Sequence, residues 1–392
     1  MGFTLSLGPE EKRFRRELRD FLGRELTDEI RRQHAMDKGV GPEARAFSLK
    51  LGATGWLGLG WPEKYGGSGG SIVHEYILVQ EFARQEAFVP NIVARFMCGP
   101  IILRHGSEEL KRDFLPRIAR GEIEFGLGYT EPNAGSDLAS MRMQAVEEGD
   151  FYVINGQKTF NTESHYADYH WLAARTDPHA PRHKAISLFI VDQNAPGITI
   201  RPIETLGGER TNEVFYDGVR VPKSRLVGQK NHGFYYMVEA LEYERLMLFQ
   251  NERLISPLKR LIAYTKQAER RGKRLSDIPS VRSGLSKIAV DIEVARCLEE
   301  RAFSLLAEGE APGVESGIVK LFGSELRQRF FYLAIDILGM WGRLTESDPC
   351  APLKGEMERL CRMAVVDTIG GGTSEILRNV IALRGLGLPK SY

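Results

Sequence analysis

The strongest constraint on the fold is a hydrophobic period that changes twice along one chain. Residues 1–122 and those beyond about 230 place apolar side chains at helical spacing, while 123–230 carry short β-branched and aromatic runs separated by turn signals. In the first block Phe14, Leu18, Phe21, Leu22 and Leu26 recur at helical spacing within charged surroundings. Further helices are expected over 43–55, 71–87, 89–105 and 107–120. The stretch "PEKYGGSGGS", 62–71, has the composition of a linker, but it is short and sits between helices, so it reads as a loop inside the domain.

The middle block reads as seven or eight strands, a small β-barrel or sandwich. "FYVINGQKTF" holds Asn155-Gly156, a hairpin signal. "AISLFIVD" and "GITIRPI" flank the turn "QNAPG", and "NEVFYDGVRVP" carries Asp217-Gly218 and then Pro222. After Gly233 helices are expected over 233–270, with a break at Pro257, and over 280–308, 314–340, 352–367 and 374–384. Leu285, Ile288, Ala289 and Ile292 have the spacing expected of a buried stripe. The expected fold is therefore α+β in three domains: 1–122 helical, 123–230 β, and 231–392 a helical bundle. A β module between two helical blocks leaves crevices of the kind that hold cofactors.

Composition narrows the function. Lys plus Arg number 53 against 52 Asp plus Glu, so no electrostatic footprint for nucleic acid or an anionic membrane exists. No apolar run is long enough to span a bilayer, and no signal core opens the chain. Gly2 followed by Ser6 formally fits an acylation pattern, which is set aside. Cys98, Cys297, Cys350 and Cys361 lack paired spacing, which points to a reducing, cytoplasmic setting without disulfides or zinc. His179 and His183 are four apart but lie in a proline-bearing loop, a poor metal site.

Four segments carry candidate chemistry. "GYTEPNAGSDLAS", 128–140, offers Thr130 and Ser136 as donors and acceptors that could read a polar ring edge; a turn-rich cap is the plainer alternative. "GQKTFNTESHYADY", 156–169, sets the aromatic Phe160 two residues before the hydroxyl of Thr162; an ordinary strand is the alternative. In "MVEALEYERLMLFQ", 237–250, Glu244 and Glu242 each share a face with apolar residues. A partly desolvated carboxylate there suits a general base, and Arg245 could instead hold it in a structural ion pair. Pattern does not choose between the two glutamates. Finally, "IGGGTSEI" brings three bare glycines to a helix start with Thr373 or Ser374 as cap; it lacks the lysine of a P-loop.

Taken in order, "YTEPNAGSD", "NGQKTFNTE", "NEVFYDGVRVP", "EYERLML" and "GGGTSEILRNVIA" resemble the acyl-CoA dehydrogenase flavoprotein family over essentially the whole chain. The resemblance implies FAD between the β domain and the C-terminal helices and an acyl-CoA substrate desaturated to the trans-2-enoyl-CoA. It implies electron-transfer flavoprotein as acceptor and a homotetramer. By the same resemblance Tyr129, Thr130, Phe160 and Thr162 fall at flavin contacts, Phe160 standing where most members have tryptophan. Ser136 falls at a contact to the pantetheine of CoA as well as near the cofactor. Gly339, Thr373 and Glu375 fall at cofactor contacts from the C-terminal segment. The family's common base position is occupied here by Gly371. A second branch, including isovaleryl- and long-chain members, places the base on the preceding long helix, which selects Glu244 over Glu242. Arg245, Gly371 and Gly372 would then border the substrate, with room for a branched or bulky acyl group.

Two departures accompany the resemblance. "AERRGKRL", 268–275, lacks the register of the family's Arg-Lys-Gln-Phe-Gly run, and "DILGMWG", 336–342, has Asp336 where glutamine is usual. They raise one alternative, a flavin-poor partner subunit of a heteromeric enzyme; a further one, an enoyl-CoA reductase, keeps the same site and runs it in reverse.

Overall fold

The structure is a computed structural model and describes residues 7–37, 41–310 and 312–390. The Gly2–Ser6 pattern lies outside the described residues.

Six helices open the chain: α1 (Pro9–Glu25), α2 (Asp28–Asp37), α3 (Pro42–Ala53), α4 (Ile72–Arg84), α5 (Gly99–His105) and α6 (Glu108–Ala119). Phe14, Leu18, Phe21, Leu22 and Leu26 are all buried, in one cluster with Phe47, Ile77 and Phe82. The glycine-rich stretch before α4 is packed, not a linker: a side chain at Gly67 would collide with the Trp61 backbone. Ser71 and His74 then form a capping box that starts α4.

The middle of the chain makes one eight-stranded sheet among the described residues. The strands are β1 (Phe125–Gly128), β2 (Gln144–Glu148), β3 (Phe151–Lys158), β4 (Tyr169–Arg175), β5 (Ile186–Asp192), β6 (Ile198–Glu204), β7 (Arg210–Pro222) and β8 (Leu226–Val227). The order is β6-β7-β3-β2-β4-β5-β8, with β1 parallel to β4. The two halves meet at one pair, Gln144 with Arg175, which lets the sheet fold over into a sandwich-like body. Asn155-Gly156 is not the hairpin turn expected from sequence. β3 runs through it with a register shift, and the β2–β3 turn falls at Gly149-Asp150. The cause is tertiary: Asn155 Oδ1 accepts from Gly218 N at 2.8 Å, and Gly156, at φ +146°, lies so close to Met143 that a side chain would crowd it.

The last block holds α7 (Gly233–Leu248), α8 (Ile255–Gln267), a small hairpin of β9 (Glu269–Arg270) and β10 (Lys273–Arg274), then α9 (Pro279–Ala307), α10 (Gly313–Leu338), α11 (Glu356–Asp367) and α12 (Ser374–Val380). The helical run after Gly233 breaks at Phe249 and Gln250, not at Pro257. Pro257 sits in the first turn of α8, where no intrahelical N–H is needed. The break is fixed by Glu299 of α9, whose Oε1 accepts from both the backbone N (2.8 Å) and Nδ2 (2.7 Å) of Asn251.

Helix α7 ties the blocks together. Tyr236, Met237 and Ala240 join the core shared by α5, α6 and the sheet. Leu246 and Met247 join the core of the N-terminal helices. Of the residues between them, Leu241, Glu242, Glu244 and Arg245 face the space where all three blocks meet.

Candidate active site

That space is a cleft of about 1620 Å³. Its walls include Thr130, Ser136, Phe160 and Thr162 from the β block, Phe88 from the first block, and Glu244, Arg245 and the segment from Gly370 to Thr373 from the last. The floor of the β side is set by a buried ion pair. Lys158 Nζ donates to Glu131 Oε1 at 2.9 Å and to Tyr129 O at 3.0 Å, and Glu131 also accepts from the N–H groups of Arg142 (2.6 Å) and Met143 (2.9 Å). Burial lowers Lys158 to about 8, while Glu131 opposes that shift. These bonds close the 128–143 loop. Thr159 N then donates to Thr130 O at 2.9 Å, so the two hydroxyl-bearing segments share one rim. Sequence reasoning missed Lys158, whose only signal is a lysine at the end of a strand.

Phe160 is 60% exposed and sits at φ +56°. A large aromatic held out of the core in left-handed backbone costs free energy, and the bonds from Thr159 N to Thr130 O and from Asn161 N to Asn212 O hold it there. Tyr129 also lines the cleft, but it is buried and its hydroxyl accepts from Trp171 Nε1 at 2.9 Å. Ser136 lies on the outer rim, exposed.

The opposite wall is the glycine segment. Thr373 caps α12, its hydroxyl accepting from Ile376 N at 3.2 Å, which settles the choice between Thr373 and Ser374. Two buried cations fix the carbonyls ahead of the cap. Arg245 Nε donates to Gly371 O at 2.9 Å and Lys320 Nζ to Gly372 O at 2.6 Å. Burial lowers the pKa of both, Lys320 to about 8. Lys320 was not legible beforehand; it reads as an ordinary polar position of α10. Among the described residues nothing accepts from the N–H of Gly371 or Gly372. Gly371, at φ +69°, faces Glu244: a Cβ there would lie 4.0 Å from Glu244 Oε2 and 4.0 Å from the Phe249 ring. Glu244 Oε2 is enclosed. Glu242 also lines the cleft but points to Arg384 (3.8 Å) and Gly313; burial raises its pKa, with Arg245 and Arg384 opposing.

Gly339 and Glu375 do not join this group. Glu375 is exposed in the first turn of α12. Gly339, at φ +66°, ends α10 beside Arg270 of the β9–β10 hairpin, whose guanidinium bonds Ile337 O. The two departures from the family pattern are thus neighbours on one face, with Met340 and Trp341 strongly exposed beside them.

A helical–β–helical chain with a carboxylate, hydroxyls and bare backbone converging in the interdomain cleft has the make-up of a flavin-type acyl-thioester oxidoreductase. Family models agree along the chain: "Acyl-CoA dehydrogenase, N-terminal domain" matches 8–122, the middle domain 126–219 and the C-terminal domain 231–386. The chain is 36% identical to acyl-CoA dehydrogenase FadE26 of Mycobacterium tuberculosis, over 99% of both. Among solved structures it is similar to the Tcur3481-Tcur3483 steroid ACAD (37% identity, TM-score 0.88, all of both chains). It is also similar to the ChsE4-ChsE5 complex from Mycobacterium tuberculosis (35%, TM-score 0.89, 99% of this chain and 100% of that one). The chain belongs to the acyl-CoA dehydrogenase family and is an oxidoreductase of that class. Among the described residues no helix is long and apolar enough to cross a membrane.

Proposed function

We propose that this chain desaturates an acyl-CoA between its α and β carbons, with Glu244 as the base that takes the α-proton. The observation that carries this is the placement of the enclosed Glu244 Oε2 opposite Gly371, where the family's other base position is empty of a side chain. The α-proton is acidic only when the thioester carbonyl is polarised. The N–H groups of Gly371 and Gly372, their carbonyls already anchored by Arg245 and Lys320, are donors available for that oxygen.

The residues of the β side fit a flavin: an exposed aromatic face at Phe160 and two hydroxyl-bearing segments, Thr130 and Thr162, along one rim. They would hold FAD, which when bound supplies the two-electron acceptor for the β-hydride. Thr373 would contact it from the opposite wall, and Ser136 would meet the pantetheine arm at the mouth. The large cleft and the bare glycine wall support a bulky, ring-bearing acyl group, in line with the steroid ACAD relative.

The test is a visible spectrum of the purified protein followed by anaerobic addition of straight, branched and ring-bearing acyl-CoAs. A flavin band that bleaches fastest with ring-bearing thioesters is expected. A flavin that no acyl-CoA reduces would overturn the dehydrogenase direction and favour a reductase.

A second reading concerns assembly. The exposed Arg270–Gly339 face, altered from the family pattern, favours pairing with a different chain over a homotetramer. Mass measurement of the protein alone and after co-expression with its genomic neighbours separates the two. A stable, flavin-loaded tetramer of this chain alone would end the heteromeric reading.

A further inference from the structure

Of the guanidinium groups that line the cleft and that the chemistry above does not use, Arg253 and Arg327 stand together beyond the base. Arg253 follows the break after α7 and lies over the Phe88 ring at 4.0 Å from its centroid. Its Nε is enclosed, and among the described residues no group accepts a hydrogen bond from any of its N–H donors. Arg327 stands beside it. Its Nη1 is 3.3 Å from Asp367 Oδ2 and its Nη2 3.4 Å from Gln250 O, while its Nε is likewise enclosed without an acceptor. Asp367 bonds Arg327, while Arg253 feels Asp367, Glu86 and Glu299 through charge alone. The next acids are committed elsewhere: Glu86 holds Arg260 at 2.7 and 2.6 Å, and Glu299 holds Asn251. Burial, with Arg327 alongside, lowers Arg253 to about 9, so it stays a cation at neutral pH.

The position relative to the base follows from shared neighbours. Glu244 faces Gly371, the Phe249 ring approaches the same point, and Arg327 lies over that ring at 5.4 Å from its centroid. Arg253 comes next, and all of these line one cavity. A purely hydrocarbon tail reaching this end would bury apolar surface against donors left without acceptors, which is unfavourable.

We infer that Arg253, with Arg327 behind it, binds an oxygen-bearing group, a carboxylate or a carbonyl, at the far end of the acyl chain and so selects acyl-CoAs with a polar distal end. Arg253 touches substrate in this assignment, and it rests on reading Glu244 as the base.

The test is binding, which needs no turnover. Dissociation constants are measured by calorimetry on the flavin-loaded protein for octanoyl-CoA, octanedioyl-CoA with its terminal carboxylate, and an oxo-octanoyl-CoA with a ketone near the chain end. The same three are made on a dodecanoyl chain, so that one set reaches the arginines. In at least one set the oxygen-bearing tails should bind roughly tenfold or more tighter than the methyl-ended one. A larger gain for the carboxylate identifies an anion, and an equal gain identifies a neutral acceptor; both support the assignment. In Arg253→Met the ratio should fall to about one. Should that variant not fold, Arg253→Lys keeps the charge without the planar fork and should shrink the ratio.

Methyl-ended tails binding as well as the others in both sets would overturn the assignment. So would a ratio that survives in the variants. Loss of flavin from Arg253→Met with the ratio intact would give the guanidinium to the cofactor instead. Failure of every acyl-CoA to reduce the flavin would count against the dehydrogenase reading alone, because the binding ratios stand apart from it.

Discussion

Glu244 Oε2 lies 4.0 Å from the point where a Cβ would stand on Gly371. The proposed base and the side-chain-free position therefore face each other across one space. Glu244→Gln keeps the shape and removes the basicity. We expect it to retain flavin and to slow anaerobic flavin reduction by roughly 10²–10⁴-fold. Glu242→Gln, which points to Arg384, should change that rate far less. Stopped-flow reduction of both variants decides, and the reverse ranking would transfer the role to Glu242.

Gly371→Ala probes the open side of the same space. Its methyl would meet Glu244 and Phe249 at ordinary contact distance, so no clash arises. The cost is the left-handed backbone at φ +69°, roughly 1–2 kcal/mol of stability. The methyl narrows the space beside the base, so ring-bearing acyl-CoAs should lose more kcat/KM than straight ones. Equal losses for both classes would show that Gly371 serves the backbone and not substrate size.

Much of this arrangement was legible in the residues, and the exceptions share a cause. The helices announce themselves where burial is periodic, as from Phe14 to Leu26. Local signals failed where a distant residue decides the outcome. Asn155-Gly156 has turn chemistry, but Gly218 claims the Asn155 side chain and makes a bulge. Pro257 looks like a helix breaker, but Glu299 breaks the helix earlier by holding Asn251. At the site, Thr130, Phe160 and Thr162 stood out as residue types suited to a ring edge, and Glu244 stood out only together with Glu242 until the resemblance chose between them. Lys158, Lys320 and Arg253 did not, because charged residues within a strand or helix read as solvated until the packing around them is known. Gly339 and Glu375 were grouped with the site by resemblance, yet neither lines the cleft of this chain, although the Glu375 carboxylate reaches the Thr373 hydroxyl that does.

Phe160 separates folding from cofactor binding. Phe160→Gly relieves the left-handed backbone at φ +56° and sheds an exposed aromatic face. Apo-protein stability should rise by about 1 kcal/mol while affinity for FAD falls. Phe160→Trp should keep the affinity. Denaturation of the apo-protein and flavin titration measure the two effects separately. Affinity unchanged in the glycine variant would remove Phe160 from the cofactor site.

Glu299 gives a pH signature of the buried lock behind the cleft. It is 0% exposed, and burial raises its carboxyl to about 7 from an ordinary value of 4.5. Below 4.5 the group is protonated whether folded or unfolded and costs nothing. Between 4.5 and 7 the folded chain holds a proton that the unfolded chain has released, so stability falls as pH rises. Above 7 the full cost is present, about 3 kcal/mol for a shift of that size. Glu299→Gln keeps an oxygen for Asn251 and carries no charge. Denaturant unfolding of both proteins at about pH 5 and about pH 8 should therefore show the variant gaining on the wild type at the higher pH, with the other titrating groups cancelling in the difference. A stability gap that stays constant across that range would mean that Glu299 is ionised in the fold, with a nearby cation such as Arg327 outweighing its burial.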